Sequence, residues 1–301
     1  MIDNIVCPKC KEKNIIRWGY RKTDNRGKVQ RYKCKDCQDT FIQDFGFYRM
    51  RNSPQKISLS LDLFFRGLST REVQSHLQAF YPHNSDHSTI LRWIRKYSLK
   101  IAEYTDNLKI NTGSYIEVDE MEYHRRKSHK AKLGIDKNWC INAIDVKTRF
   151  LLFSNYAKNR NQRELKSFFQ KIKTKSDNIK IVTTDGFCAY QNIIKKTWGY
   201  NLKALKYNII HNVVNASQGE GFNIWVERLN NSLRQRTQNF RGFHGSVSSA
   251  NSIMRGYEIF YNFIRKHEAL KGKTPSDMAT NVKFETPNRW LELINKSSKS
   301  I

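Results

Sequence analysis

Between Ile15 and Cys34 the chain alternates in short β-prone runs, Ile15-Ile16-Arg17-Trp18-Gly19-Tyr20 and Val29-Gln30-Arg31-Tyr32-Lys33-Cys34, around an Asp24-Asn25-Arg26-Gly27 turn, which predicts two paired strands. From Ser53 the spacing becomes helical. Ser53-Pro54 is a helix start, because serine caps orphan amides and proline fits the first turn, and Gly67 is the matching stop after a helix to about Arg66. Ser69-Thr70-Arg71-Glu72 reads as a capping box ahead of Val73, Leu77 and Phe80, which predicts a second helix. A third helix carries Ile90, Leu91, Ile94 and Tyr97 on one face, with Arg92, Arg95, Lys96 and Lys100 elsewhere. After Gly113 the texture turns to strands: Ser114 to Met121, Trp139 to Val146 and Arg149 to Tyr156, the last two joined by a tight Lys147-Thr148 turn, form a predicted meander. A helix from about Asn161, with Leu165, Phe168, Phe169 and Ile172 inward, leads to a strand over Ile179 to Thr184 that ends at Asp185-Gly186. Trp225 to Arg234 is predicted as a further helix.

Composition changes the picture through charge. The 301 residues suit two or three domains, and 39% hydrophobic residues with 12% aromatics suffice for a sizeable core, so the chain is not a disordered polycation. Yet Lys and Arg number 54 against 27 Asp and Glu, a formal net charge of +27, and such self-repulsion calls for a polyanionic partner. Nucleic acid is the obvious polyanion, though an anionic membrane surface would also attract such charge. No apolar run approaches the roughly 20 residues of a membrane-spanning helix, and the N-terminal residues lack the basic and apolar regions of a signal peptide. A cytoplasmic protein is therefore expected.

Of six cysteines, Cys140 and Cys188 stand alone in apolar stretches and read as reduced core residues. The other four form two CxxC knuckles, Cys7-Pro8-Lys9-Cys10 and Cys34-Lys35-Asp36-Cys37, flanking the predicted hairpin. Each knuckle can give two thiolates to one tetrahedral Zn²⁺, which predicts a zinc ribbon, and four thiolates leave no open position for chemistry. Paired disulfides in a secreted module are the alternative, against which the lack of a signal peptide counts. Arg17, Arg21, Lys28 and Arg31 on the hairpin suit DNA contact. The three helices with a basic last one resemble a helix-turn-helix, with Arg92, Arg95 and Lys96 toward DNA; a helical spacer with solvated charges is the bland alternative.

Three carboxylates carry the candidate chemistry. Asp119 lies in Tyr115-Ile116-Glu117-Val118-Asp119-Glu120-Met121, where alternation sends Val118 and Glu120 to one face and Asp119 to the other. Asp185 closes the later strand, and strand ends are where α/β sheets place functional groups. Glu227 sits in the predicted Trp225 to Arg234 helix. Converging from two strands and a helix, they would hold two Mg²⁺ ions about 4 Å apart, as phosphoryl transfer requires. No acid occurs between Glu227 and Glu258, whereas Arg228, Arg234, Arg236, Arg241 and Arg255 do, so this stretch is expected to track phosphates. The run His124-Arg125-Arg126-Lys127-Ser128-His129-Lys130 reads as a second, loop-borne DNA contact. Strands, then helix, then strand suit an RNase H-like sheet.

Four motifs between Tyr115 and Ala279 are similar to those of the DDE transposases of bacterial and archaeal insertion sequences, whose core has the retroviral-integrase fold. Tyr115 to Glu120 resembles the first-aspartate strand of that family, and Ile181 to Tyr190 its second. Val226-Glu227-Arg228-Leu229-Asn230-Asn231-Ser232-Leu233-Arg234-Gln235-Arg236 resembles the glutamate helix, with Arg234 two turns beyond Glu227. Tyr261 to Leu270 with Gly272-Lys273-Thr274-Pro275 resembles the family's C-terminal motif. The Asp185 to Glu227 interval is longer than in many relatives, and Glu220 would fit the shorter one, but its Gln218-Gly219-Glu220-Gly221 setting is loop-like, so Glu227 is preferred.

The resemblance implies an α/β protein: an RNase H-like (retroviral integrase-like) catalytic core at 113–280, preceded by a zinc ribbon at 1–48 and a helix-turn-helix at 53–104, and followed by a C-terminal tail at 281–301. It implies catalysis by Asp119, Asp185 and Glu227 with two Mg²⁺ or Mn²⁺ per site, one structural Zn²⁺ on Cys7, Cys10, Cys34 and Cys37, and metal-assisted cleavage at transposon ends followed by joining of the 3′-hydroxyls to target DNA. Duplex DNA, a homodimer or higher oligomer, and a nucleoid setting in a prokaryotic host go with it. A catalytically silent domesticated transposase and a zinc-ribbon and helix-turn-helix transcription regulator are the rival readings.

Overall fold

The computed structural model describes residues 5–23, 27–43, 46–47, 50–81, 85–124, 133, 137–214, 223–238 and 246–299. Strands β1 (Ile15–Thr23), β2 (Gly27–Cys34) and β3 (Thr40–Phe41) form a small antiparallel sheet. Its own core is minimal: Ile5, Cys7, Ile15 and Cys34, with Cys10, Tyr32, Cys37 and Phe41 packed on them.

Helices α1 (Pro54–Arg66), α2 (Thr70–Phe80) and α3 (His87–Asp106) begin where their caps place them. The Ser53 side chain accepts from the Lys56 amide, and Ser69 and Glu72 complete the reciprocal capping box. α3 starts at Asp86, whose carboxylate accepts the Ser88 amide at 2.8 Å.

The main sheet has five strands: β4 (Tyr115–His124), β5 (Lys137–Asp145), β6 (Leu151–Ala157), β7 (Ile181–Thr184) and β10 (Ile210–Val213). Their order is β10-β7-β4-β5-β6, with the β4-β5-β6 meander antiparallel and β7 and β10 parallel to β4. A meander extended on its first strand by two parallel strands is the RNase H-like sheet. Helices α4 (Gln162–Lys175) and α5 (Ala189–Trp198) share one face, where Phe169 meets Tyr190. The short β8 (Tyr200–Asn201) and β9 (Lys206–Tyr207) pair with each other. The opposite face carries α6 (Ile224–Gln238) and α7 (Val247–Ile259), the latter running on through a wider π turn, Phe260–Ile264. α8 (Pro275–Ala279) and α9 (Arg289–Lys299) complete the chain. No described helix is long and apolar enough to cross a membrane.

One hydrophobic cluster runs from Phe47 through the three N-terminal helices and the sheet to Ile294. The segment 281–301, expected as a tail, thus supplies a packed helix, with Trp290, Leu293 and Ile294 buried. Of the two lone cysteines, Cys140 is buried in the core as expected, whereas Cys188 is exposed just before α5. α3 lies on α7 at Gly256, where an added Cβ would collide with both the Phe65 ring and the Ser98 hydroxyl. An ion group with three buried members also joins them: buried Lys175 on α4 contacts the exposed Asp106 at 2.9 Å and buried Glu258 at 3.5 Å, and buried Arg255 pairs with both acids. Arg255, expected to face phosphate, is 5% exposed and spent on these partners.

Arg236 is a second correction. It is buried, and its guanidinium donates to the backbone carbonyls of Phe64, Gly67 and Leu68, the last turn of α1 and the residues after it, so it satisfies a helix C-terminus and not DNA. Arg236 follows the buried Leu229 and Leu233 at helical spacing on α6, which puts its stem on the inward face, and a count of basic residues does not register that. Arg236→Met should lower stability by about 2 kcal/mol, from carbonyls left unmet, and leave the salt dependence of DNA binding unchanged; a reduced salt slope at wild-type stability would restore the phosphate role.

Candidate active site

β7 is short and pairs with β4 only through Tyr115, Ile116 and Glu117. Beyond Glu117 that edge of β4 is unpaired by β7, and Asp185 immediately follows the end of β7. Alternation holds along β4: Asp119 faces α6, where Asn230 Nδ2 donates to its Oδ2 at 2.7 Å, and Glu120 faces α5, where the Tyr190 hydroxyl donates to it. At the open edge both side chains nonetheless converge on Asp185. One carboxylate oxygen from each of Asp119, Glu120 and Asp185 lies within 4.8 Å of the others.

Burial dominates the electrostatics. It lifts the Asp119 carboxyl to about 6, with the Glu120 and Asp185 charges pushing the same way and Asn230 opposing them. Burial also raises Glu120, aided by Asp185 and opposed by Tyr190 and Arg160. Arg160 pairs with Glu120 at 2.5 Å, and its guanidinium lies 4.0 Å from the Trp139 ring centroid and 4.1 Å from that of Phe187. Asp185 Oδ1 accepts the Phe187 amide at 3.1 Å, fixing the turn after β7.

A buried amide chain orients Asp119. Asn142, directly across from Asp119 on β5, accepts from Ser154 Oγ at 2.7 Å and donates to Asn230 Oδ1 at 2.8 Å. Asn230 is thereby left with its amide nitrogen toward Asp119. Glu117 does a related job at the start of α6: almost fully buried, it accepts the Trp225 and Val226 amides at 2.8 and 3.0 Å, a carboxylate at a helix N-terminus. Glu117→Ala should cost about 2 kcal/mol by stranding two amides, read as a lower urea midpoint; an unchanged midpoint would show α6 held by other contacts.

Of the three residues expected from sequence, Asp119 and Asp185 come together. Glu227 lies in the first turn of α6, exposed, and is not a member of the group that Glu120 joins. Glu120 was legible as the acid next to Asp119, and Asn230 as the residue one turn beyond Glu227; Arg160, Tyr190 and Asn142 carried no local signal. Arg92 and Lys96 are exposed on α3 and Arg95 is half-buried there; Arg228 and Arg234 are exposed on α6. Arg125, Arg126, Lys127, Arg241 and Glu220 lie outside the described residues.

Three clustered oxygen donors, two of them with carboxyls raised chiefly by burial, suit a hard divalent cation. The four cysteines offer a different set: Cys7 and Cys37 sulfurs are 3.5 Å apart, as are Cys10 and Cys34, and all four lie within 4.8 Å of one another, a fit to a thiophilic ion such as Zn²⁺.

Residues 132–268 match the family model described as DDE domain, a span that takes in Asp185 and Glu227 and begins after Asp119. No curated protein matches the chain. Among solved structures it is similar to the HTLV-2 integrase catalytic core domain in complex with magnesium, in its dimeric form, at 17% identity over 56% of this chain and 95% of that chain with a TM-score of 0.36. It is also similar to the simian T-cell lymphotropic virus intasome in complex with the PP2A regulatory subunit B56 gamma, at 12% identity over 78% of this chain and 77% of that one with a TM-score of 0.40. The Drosophila P element transposase strand transfer complex matches at 10% identity over 84% and 80% of the two chains, with a TM-score of 0.35.

Proposed function

We propose, for a chain that carries the DDE domain of the transposases, that it cleaves DNA strands at the ends of a mobile element and joins the freed 3′-hydroxyls to target DNA. The observation that carries this reading is the convergence of Asp119, Glu120 and Asp185 at the open edge of β4. Asp119 and Asp185 would hold two Mg²⁺ or Mn²⁺ ions, with Glu227 as the third carboxylate. Such ions, when bound, activate the attacking oxygen and stabilise the leaving one. The chain's own residues do the rest. Asn230 and Asn142 hold Asp119 in one orientation, Glu117 fixes the start of the helix that carries Glu227, and Arg228 and Arg234 set positive charge beside it for phosphate. In cleavage, water adds to phosphorus as the bond to the 3′-oxygen breaks; in joining, that 3′-hydroxyl adds to a target phosphorus and displaces the next 3′-oxygen, so no covalent enzyme intermediate forms.

Duplex DNA is the partner this reading requires, with at least a dimer to bring two ends together, in the nucleoid of a prokaryotic cytoplasm. Zn²⁺ on Cys7, Cys10, Cys34 and Cys37 is structural, since all its positions are filled by thiolates. A DNA-binding protein without chemistry is the second reading, favoured by the exposed position of Glu227 outside the carboxylate group. Purified full-length chain incubated with labelled duplexes of the element's ends and Mg²⁺ or Mn²⁺ separates the two: nicking at the end supports cleavage, binding alone supports the second reading. Glu227→Gln should abolish nicking; normal nicking by it, with loss in Glu220→Gln, would move the third carboxylate to Glu220.

A further inference from the structure

The β1-β2 hairpin leaves its own core early. Ile15 and Cys34 pair at its base and are buried with the cysteines, but Arg17 to Lys22 are exposed at every position. A hairpin that packs on something buries one face by alternation; here Tyr32 packs on the small core at the base, Val29 to Lys33 are half-buried without alternation, and neither face is buried between Ile16 and Lys33. The register shows why its two faces are alike. Arg17 pairs with Tyr32 and Tyr20 with Gln30, so Trp18 and Gly19 together oppose Arg31, a bulge made possible by Gly19 at φ 67°. The extra residue returns Arg17 and Tyr20 to one face and sends Trp18 to the other.

Two ring contacts agree with that assignment. The Lys33 ammonium lies 4.6 Å from the Trp18 ring centroid on one face, and the Lys28 ammonium 4.3 Å from that of Tyr20 on the other. Each face therefore presents one exposed aromatic, Trp18 at 46% and Tyr20 at 57%, among cations. Arg21 and Lys33 belong with Trp18; Lys22 and Lys28 belong with Tyr20. No described residue of either strand is acidic.

We infer that this hairpin enters the major groove of duplex DNA edge-on, with both faces against the groove walls. A surface meant for one-sided contact needs cations on one face only, whereas a ribbon between two phosphate rows needs them on both. The dimensions agree: two strands are about 5 Å apart, and with side chains on both faces they fill a groove about 12 Å wide, which admits a two-stranded ribbon. Trp18 and Tyr20 then supply apolar contact to base edges such as thymine methyls, and the flanking lysines and arginine meet the phosphates. The inference rests on the reading of the chain as a DNA-binding protein and adds which element reads the duplex, and how.

The test uses full-length protein, a duplex of the element's end and the matching single strand, with binding measured without divalent metal so that it stands whatever the cleavage assay returns. Lys22→Gln/Lys28→Gln removes two cations from one face, leaving Arg17, and Arg21→Gln/Lys33→Gln removes two from the other, leaving Arg31; zinc content checks that each variant keeps its ribbon. Each pair should weaken duplex binding at least about tenfold at moderate salt and reduce the slope of log affinity against log salt by about 2. Methylation of guanine N7 in the major groove should interfere with binding. Loss confined to one pair, no loss in either, equal affinity for the single strand, or indifference to N7 methylation each overturns groove insertion, and retained nicking in that case leaves the proposed activity standing.

Discussion

Asp119→Asn should reduce Mg²⁺-dependent cleavage by about a thousandfold or more while sparing DNA binding, and should make the metal-free protein more stable at neutral pH. The first effect follows from removing a carboxylate from a group whose charge stabilisation is worth several kcal/mol, at one decade of rate per roughly 1.4 kcal/mol. The second follows from linkage. Folding raises the Asp119 carboxyl from an ordinary value near 3.8 to about 6, so the folded state binds the proton more tightly than the unfolded one. The penalty for ionising it is absent below about pH 4, grows through the interval up to about 6 and is complete above that. Asparagine carries no such charge, so the variant should gain about 1–3 kcal/mol at pH 7 and almost nothing at pH 4. Thermal melts of metal-free protein at the two pH values decide it. A variant less stable than wild type at pH 7 would show that Asp119 is held by its Asn230 contact more strongly than it is strained by burial and by Glu120 and Asp185.

That strain is the part of the site the sequence could not display. Caps, turns and periodicity are local, so Ser53, the Ser69/Glu72 box, Asn161 and the Lys147-Thr148 turn announced their elements correctly. The strands of the main sheet were legible down to β7, because an acid that closes an apolar strand marks the point where the strand leaves the core; their order came from the structure. β10 was not: Ile210-His211-Asn212-Val213 is four residues at a sheet edge, mostly exposed, with too little apolar content to mark a strand. Alternation separates Glu120 from Asp119 correctly, since the Glu120 side chain does point away from Asp119's face. What returns it to the group is where β7 stops, a tertiary fact. Arg236 and Arg255 show the same limit in charge: in a chain with an excess of +27 a basic residue reads as a phosphate contact until its neighbours show that it is buried. The three N-terminal helices and α9 share one core with the sheet for a related reason, because Trp290, Leu293 and Ile294 name an apolar face but not what it covers.

Removing the Zn²⁺ proposed for Cys7, Cys10, Cys34 and Cys37 should have the largest effect on folding of any single change, and only in one region. The ribbon's core holds four buried residues, two of them the ligands Cys7 and Cys34, so apolar burial there is far too small to order two strands against chain entropy of about 1–2 kcal/mol per residue. Metal coordination must supply the difference, and structural Zn²⁺ in small domains is worth roughly 10–16 kcal/mol. Chelation at neutral pH, or Cys34→Ser, should therefore unfold the sheet formed by β1, β2 and β3 while α1 to α9 and β4 to β10 keep their melting transition, since the two hydrophobic clusters are separate. Hydrogen exchange resolved by segment reads this directly: amides of residues 15–34 should lose protection, and those of β5 and α7 should keep theirs. Duplex affinity should fall with the ribbon, whereas nicking of DNA supplied at saturating concentration should persist in proportion to the intact core. Protection of residues 15–34 retained without metal would mean that the cysteines are linked some other way, and simultaneous loss across the main sheet would mean that the ribbon is part of the catalytic core's cooperative unit.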